Sequence, residues 1–251
     1  MLSKNDIKTI KSLGLKKSRL EKRLFIAEGH KLVEELLKRF ECTLIVALDE
    51  WIREKGNIRA GRIECVSPDM LKQASLLQTP QDVIGIFRMP DQKADISIAA
   101  TELVLALDTV QDPGNLGTII RVADWFGIKH IFCSQGTADL YNPKTVQATM
   151  GAMARVSVHY TDLCRDLAAI HGQIPVYGTF LDGNDMYDCE LENRGIIVMG
   201  NEGNGITDQV GKYISNRLFI PNWPKGAETS ESLNVAVATS IICAEFRRRA
   251  R

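Results

Sequence analysis

The sequence predicts a two-part α/β chain, a small α/β unit followed by a larger domain on a mostly parallel sheet. Three observations carry this expectation. From Leu103 onward, strand-like apolar runs alternate with helical stretches, the pattern of a parallel sheet covered by helices on both faces. The first ninety residues hold their own short strand and helix signals. Between the two parts, residues 88–100 (RMPDQKADISIAA) lose periodicity and read as a linker, which sets the domains at 1–95 and 101–251.

Each element follows from local chemistry. Ser3 with Asp6 three positions later is an N-cap signal, and Gly14 a stop, for a first basic helix. Leu32, Val33, Leu36, Leu37 and Phe40 form one helical stripe over residues 30–40. Apolar runs at 42–48, 63–66 and 83–87 read as strands, and Ser67-Pro68 opens a short helix because proline suits the first helical position. In the second part, strands are expected at 103–107, 130–133, 175–179, 195–199 and 217–220. Helices are expected at 116–126, 143–154, 162–171 and about 232–249.

Composition narrows the class. The chain has 251 residues, 45% apolar and 25% charged, which excludes collagen-like, coiled-coil and disordered readings. No apolar run approaches the roughly 18 residues of a membrane helix, and lysines occupy the start where a signal peptide would be apolar, so the expected location is cytoplasmic, with no membrane partner. The 31 basic and 31 acidic residues cancel, but residues 1–23 carry eight basic side chains (Lys4, Lys8, Lys11, Lys16, Lys17, Arg19, Lys22, Arg23) against Asp6 and Glu21. Such an arm can track a phosphate backbone, or be only a solvated helix face. The cysteines at 42, 65, 133, 164, 189 and 243 form no CxxC pair and the histidines no HExxH, so free thiols and no metal are expected.

In parallel sheets ligands sit at the carboxyl ends of strands, and three segments there carry chemistry. The first, residues 108–121 (DTVQDPGNLGTIIR), turns at Asp112-Pro113-Gly114 and offers Asn115 as an N-cap. Arg121 leans back over Gly117 toward Asn115. Apolar neighbours at 119, 120, 122, 123 and 126 imply a partly buried guanidinium that needs an anionic partner. The second, residues 195–205 (GIIVMGNEGNG), runs from a strand into a glycine-rich loop with Glu202 at its middle, a natural partner for Arg121. It is neither a P-loop nor GxGxxG, which disfavours a nucleotide-dependent oxidoreductase. In the third, residues 220–238, Ser232 is the expected cap of the last helix, with Asn234 in its first turn, a costly place for an unbonded amide.

Taken together, Asn115-x-Gly117-x-x-x-Arg121, Gly200-Asn201-Glu202-Gly203-x-Gly205, and Ile220-Pro221 followed by Ser232-Leu233-Asn234-Val235 resemble the SpoU/TrmH family of the SPOUT superfamily. Its members are RNA 2′-O-methyltransferases that use S-adenosylmethionine (AdoMet). In the first part, Arg23-Leu24-Phe25 and Glu28-Gly29 ahead of a helix look like the family's ribosomal-protein-like RNA-binding domain. The resemblance implies a C-terminal trefoil knot, a homodimer formed through that domain, and an AdoMet pocket walled by Thr179, Phe180, Leu181, Gly200, Ile220 and Leu233. It also implies a catalytic set of Asn115, Arg121, Glu202, Ser232 and Asn234. One departure is the long excursion between Pro221 and Ser232, where Asn222 follows the proline and a methionine is common in the family.

The implied chemistry is transfer of the AdoMet methyl to a ribose 2′-hydroxyl of RNA, ribosomal RNA before transfer RNA given the two-domain layout. A guanidinium is a poor proton acceptor near neutral pH. Arg121 is therefore expected to clamp the 2′-oxygen or its phosphate, with Glu202, Ser232 and Asn115 fixing its fork and Asn234 orienting the ribose. The contrasting class, a non-catalytic RNA-binding assembly factor that keeps the knot, would be favoured had these residues been replaced.

Overall fold

The computed structural model describes residues 2–91, 94–224, 228 and 232–250. Two compact units form, Met1–Asp91 with Asp139–Arg155, and Gln92–Ala138 with Val156–Arg251.

In the first unit, helices α1 (Lys4–Ser12) and α2 (Lys16–Lys22) precede β1 (Leu24–Glu28), followed by α3 (His30–Leu37), β2 (Cys42–Ala47), α4 (Asp49–Lys55), β3 (Ile63–Cys65), α5 (Pro68–Ala74) and β4 (Val83–Arg88). The sheet order is β1-β4-β2-β3, with β4 antiparallel to both neighbours and β2 parallel to β3. The Ser3–Asp6 signal forms a complete capping box on α1, and Ser67 caps α5 ahead of Pro68. Ile10, Leu13, Ile26, Val46, Leu71 and Ile84 close the core. Helices α2 and α4 and strand β1 were not predicted, being only seven, seven and five residues long.

The basic arm is less free than its sequence suggests. Arg19 is 1% exposed. It donates to the carbonyls of Leu13 and Gly14, both at 2.9 Å, and pairs with Asp139 at 2.6 Å. Lys11 donates to the Ser75 carbonyl, and Arg23 pairs with Asp91. Arg19 is thus a structural tie, its two terminal nitrogens both committed to acceptors within the unit.

In the second unit β5 (Leu103–Leu107) leads into α6 (Pro113–Trp125) and β6 (His130–Ser134). The chain then contributes residues 139–155 to the first unit, through α7 (Pro143–Thr149). There Tyr141 meets Phe25 with ring centroids 4.9 Å apart, and the Gln147 amide donates to the Glu28 carbonyl at 2.9 Å. The helix expected to reach residue 154 stops at Thr149 because Met150 and Gly151 take φ of 49° and 91°. The chain returns through β7 (Ser157–Thr161), α8 (Leu163–Ile170), β8 (Val176–Asp185), β9 (Gly195–Met199), α9 (Asp208–Gly211), β10 (Asn216–Phe219) and α10 (Val235–Arg249).

All five pairings in the order β10-β8-β9-β5-β6-β7 are parallel, so the predicted fold class holds for this unit. Val104, Ala106, Phe132, Leu167, Ile196 and Val198 belong to its core. β7 went unpredicted because SVHYT mixes polar and apolar residues. Within the expected linker, Arg88 ends β4, and a 3-10 turn at Ile96–Ala100 buries Ile96 and Ala99. Among the described residues no helix is long and apolar enough to cross a membrane, and no cluster of three potential metal ligands occurs.

Candidate active site

The site lies at the carboxyl ends of β5, β9 and β10, built from the three segments the sequence singles out. After β5, Asp108 is 2% exposed, and its Oδ2 accepts from the Thr207 amide at 2.9 Å and the Thr207 hydroxyl at 2.8 Å. Helix α6 is capped by Asp112, not by the expected Asn115. With Pro113 at the first helical position, the Asp112 carboxylate accepts from the Asn115 amide at 2.8 Å. Asn115 therefore sits in the first turn with its side chain free to reach other segments.

After β9, the glycine-rich loop closes on itself. Asn201 and Gly205 exchange two backbone hydrogen bonds of 2.8 and 2.9 Å. The Asn201 side chain accepts from the Gly203 and Asn204 amides and donates to the Thr109 carbonyl at 2.8 Å. A Cβ at Gly200 would lie 2.2 Å from the Gly205 carbonyl carbon, so glycine is required there by the loop's own backbone. Asn201 and Asp108 hold the site together, although the sequence reading, which quotes both, gives neither a role. The signals were an asparagine inside the glycine motif and an aspartate ending a wholly apolar strand.

At α10 the cap is Asn234, not Ser232: its Oδ1 accepts from the Ala236 amide at 3.0 Å and the Val237 amide at 3.4 Å. That leaves its NH2 free to donate to Asn115 Oδ1 at 3.0 Å, while Asn115 donates to Glu202 Oε1 at 2.7 Å. A polar chain Asn234–Asn115–Glu202 thus links all three segments.

A cavity of about 490 Å³ opens beside this chain, within the range of small-molecule sites. All six residues expected to hold cofactor line it, from Thr179, Phe180 and Leu181 on one side to Gly200, Ile220 and Leu233 on the others, together with Glu202 and Ser232. The first three are delivered by an excursion in β8. Gly178 pairs with Arg217 and Asn184 with Leu218, so residues 179–183 fall outside the ladder. The Arg217 guanidinium covers the Phe180 ring at 3.4 Å from its centroid and pairs with Asp182 at 2.5 Å. A smaller hollow of about 340 Å³ between α6 and α10 is lined by Asn115, Thr118, Val122 and Asn234 among others. The Asn115–Glu202 bond connects the two. The excursion noted after Pro221 lies largely outside the described residues.

Arg121 departs from expectation. It is exposed, and none of the described residues is bonded to it. Helix α6 turns Leu116, Ile119, Ile120 and Ala123 into the core and leaves Thr118, Arg121 and Trp125 on its solvent side. Glu202, its expected partner, is taken by Asn115.

Comparisons with known proteins identify the family of the chain. Residues 102–244 match the model of the SpoU rRNA Methylase family, and residues 4–85 that of the MRM3-like substrate binding domain. The chain is 32% identical over 245 residues to the Bacillus subtilis 23S rRNA (guanosine(2553)-2'-O)-methyltransferase RlmP, covering 96% of this chain and 95% of that protein. A Porphyromonas gingivalis structure assigned to the TrmH family of RNA methyltransferases superposes with a TM-score of 0.91 at 42% identity, over 99% of each chain. An AdoMet-bound rRNA methyltransferase from Sinorhizobium meliloti gives 0.82 at 29%, over 100% of this chain and 98% of the other. With its model matched over residues 102–244, more than half of the chain, the chain belongs to the SpoU rRNA methylase family.

Proposed function

We propose that this chain transfers a methyl group from AdoMet to a ribose 2′-hydroxyl of ribosomal RNA. The observation that carries the reading is the polar chain Asn234–Asn115–Glu202, which joins a cofactor-sized cavity to a second hollow bearing two amide side chains. The names of the relatives and the AdoMet-bound neighbour support donor and substrate class.

The residues present fit AdoMet. Phe180, Leu181, Ile220 and Leu233 offer apolar surface to an adenosine, and the Gly200–Gly205 loop lets backbone approach closely. When bound, the cofactor supplies an activated sulfonium methyl, so no metal is required. Glu202 and Asn115 hold each other at the junction of the two hollows, Asn234 flanks the acceptor side, and Ser232 lines the cofactor cavity. Arg121, solvated and uncommitted, closes on the phosphate beside the 2′-oxygen and stabilises charge developing there, while the hydroxyl proton leaves to phosphate or water. Holding acceptor and donor in line supplies much of the rate enhancement.

The same reading assigns RNA binding to residues 1–95 and catalysis to residues 101–251, gives the second domain the trefoil knot, and places the enzyme in the cytoplasm as a homodimer. Trp125, 86% exposed on α6, and Val237, 49% exposed on α10, support dimerisation through that domain. The test is ribose-methylation mapping of total RNA with and without the gene, paired with transfer from labelled AdoMet to ribosomal RNA in vitro. An unchanged map and no transfer would overturn the reading.

A further inference from the structure

We propose that a cationic cleft at one end of the first unit's sheet is the groove that grips the RNA backbone, an inference that rests on the RNA substrate proposed above. The cleft has a volume of about 950 Å³ and is lined from the end of α3, the starts of β1 and β2, the loop before β3 and the end of β4. Five exposed cations line it, Lys38, Arg39, Arg59, Arg62 and Arg88, against two carboxylates.

Both carboxylates are already engaged. Asp6 accepts from the Ser3 amide and hydroxyl in the α1 capping box and pairs with Arg62 at 2.7 Å. These contacts, the Ser3 amide first and Arg62 next, hold its carboxyl down at about 2, so it stays an anion committed to its partners. Glu41 pairs with Arg88 at 2.8 Å, and Lys38 with Glu35. That leaves Arg39 and Arg59, whose guanidinium groups have no acceptor among the described residues.

Two uncommitted guanidiniums in a concave recess whose two carboxylates are already paired call for a bridging polyanion. An excess of positive charge along a concave wall attracts a polyanion, and the planar fork of arginine matches phosphate oxygens two at a time. The Thr9 and Thr43 side chains add neutral polar groups to the lining. No carboxylate is left free there to read a base amino group, so the groove sets the register of the RNA and leaves sequence choice elsewhere. The N-terminal arm spends Arg19, Lys11 and Arg23 on structural contacts, whereas the cleft keeps its unpaired charges facing a cavity.

The test uses the full chain and a fluorescein-labelled ribosomal RNA stem-loop, with anisotropy titrations between about 50 and 200 mM salt. Arg39→Gln/Arg59→Gln should weaken binding about tenfold and flatten the log–log salt dependence by about 1.5, the share of two phosphates. AdoMet affinity by calorimetry and the melting temperature should hold, since neither residue has a structural partner. Arg39→Lys/Arg59→Lys should recover most of the slope. Lys16→Gln/Lys22→Gln, an equal charge loss on exposed α2, should change it far less.

A glutamine pair that binds with wild-type affinity and slope, while the wild-type protein binds and methylates RNA, would overturn the cleft and leave the proposed function standing. So would polyglutamate binding that depends on Arg39 and Arg59 while RNA binding does not, marking a protein-docking surface. Absence of both RNA binding and methyl transfer in the wild type would instead remove the proposed function, and the cleft with it.

Discussion

Replacing Asn115 by aspartate changes no shape and removes the donor of one hydrogen bond. In the native site the Asn115 amide donates to Glu202 Oε1 at 2.7 Å while its oxygen accepts from Asn234 at 3.0 Å. Asn115→Asp keeps the acceptor toward Asn234 and sets a second carboxylate against Glu202. At a separation of about 3 Å the repulsion runs from about 1.4 kcal/mol at a water-like dielectric to about 5.5 kcal/mol at an effective value of 20. Both residues are half-buried, so about 2–4 kcal/mol is the reasonable cost.

The site relieves that cost by moving the two side chains apart or by taking up one proton between them. Separation should lower single-turnover methyl transfer by about 10²-fold, the usual penalty of an ångström-scale misplacement. Proton uptake should make the variant recover as pH falls from 8 toward 6, a dependence the wild type lacks. Asn115→Asp/Glu202→Gln restores one donor facing one acceptor with the polarity reversed, and should regain most of the rate. Wild-type turnover in Asn115→Asp at pH 8, or a double variant no better than the single, would refute the pairing as a positioning device.

Arg121→Ala should lower transfer about 10²–10³-fold at saturating RNA and AdoMet and leave AdoMet affinity and thermal stability nearly intact; the exposed arginine has no partner to strand, so a large drop in melting temperature would contradict its placement. Gly200→Val should abolish AdoMet binding by breaking the loop itself, since even a Cβ meets Gly205 backbone at 2.2 Å, and unchanged calorimetry in a folded variant would remove this loop from the pocket. His159, beside His130 on the β6–β7 edge, is held neutral down to about 4 by burial first and the neighbouring imidazole second. Its folded value lies below the unfolded 6.5, so the unfolded chain binds the extra proton and stability falls as pH drops from about 6.5 to 4, by at most about 3 kcal/mol. Glu28, whose carboxyl burial pushes up, acts in the opposite sense over part of this range, so the check is denaturation of His159→Phe against wild type at pH 7.5 and 5, and identical pH dependences would sink the assignment.

Much of this architecture was legible because apolar runs in an alternating order leave few alternatives. The predicted strands all form, and the cavity gathers every residue expected to hold cofactor. What was not legible depends on which of several equivalent polar groups wins a cap. Asp112 and Asn115 both suit an N-terminus, and Pro113 decides for Asp112 by taking the first helical position. Ser232 and Asn234 compete likewise, and the later residue wins because its two-sided amide can cap α10 and still reach Asn115. The burial of Arg121 was misjudged from neighbour composition alone; helical phase, which turns 119, 120 and 123 inward and 121 outward, decides it. The return of residues 139–155 to the first unit has no local signature, since Tyr141, Gln147 and Asp139 find partners more than a hundred positions away.

These cap choices bear on function. Each polar group at the junction of the two hollows either ends an element or is fixed by a group that does: Asp112 caps α6 and sets Asn115, Asn234 caps α10 and grips Asn115, and Asn201 knots the loop that carries Glu202. An N-cap alone is worth about 1 kcal/mol, and a bond to a charged group about 1.5–3 kcal/mol, so no one contact is strong enough to define the site. Their coupling is. Losing the Asn234 side chain frees two helix amides and one face of Asn115 at once, and Asn115 then holds Glu202 less firmly. Such variants should therefore lose stability and transfer together and non-additively, whereas Arg121, outside the network, should lose transfer alone. That contrast separates the part of the site that is built by folding from the part that RNA must complete.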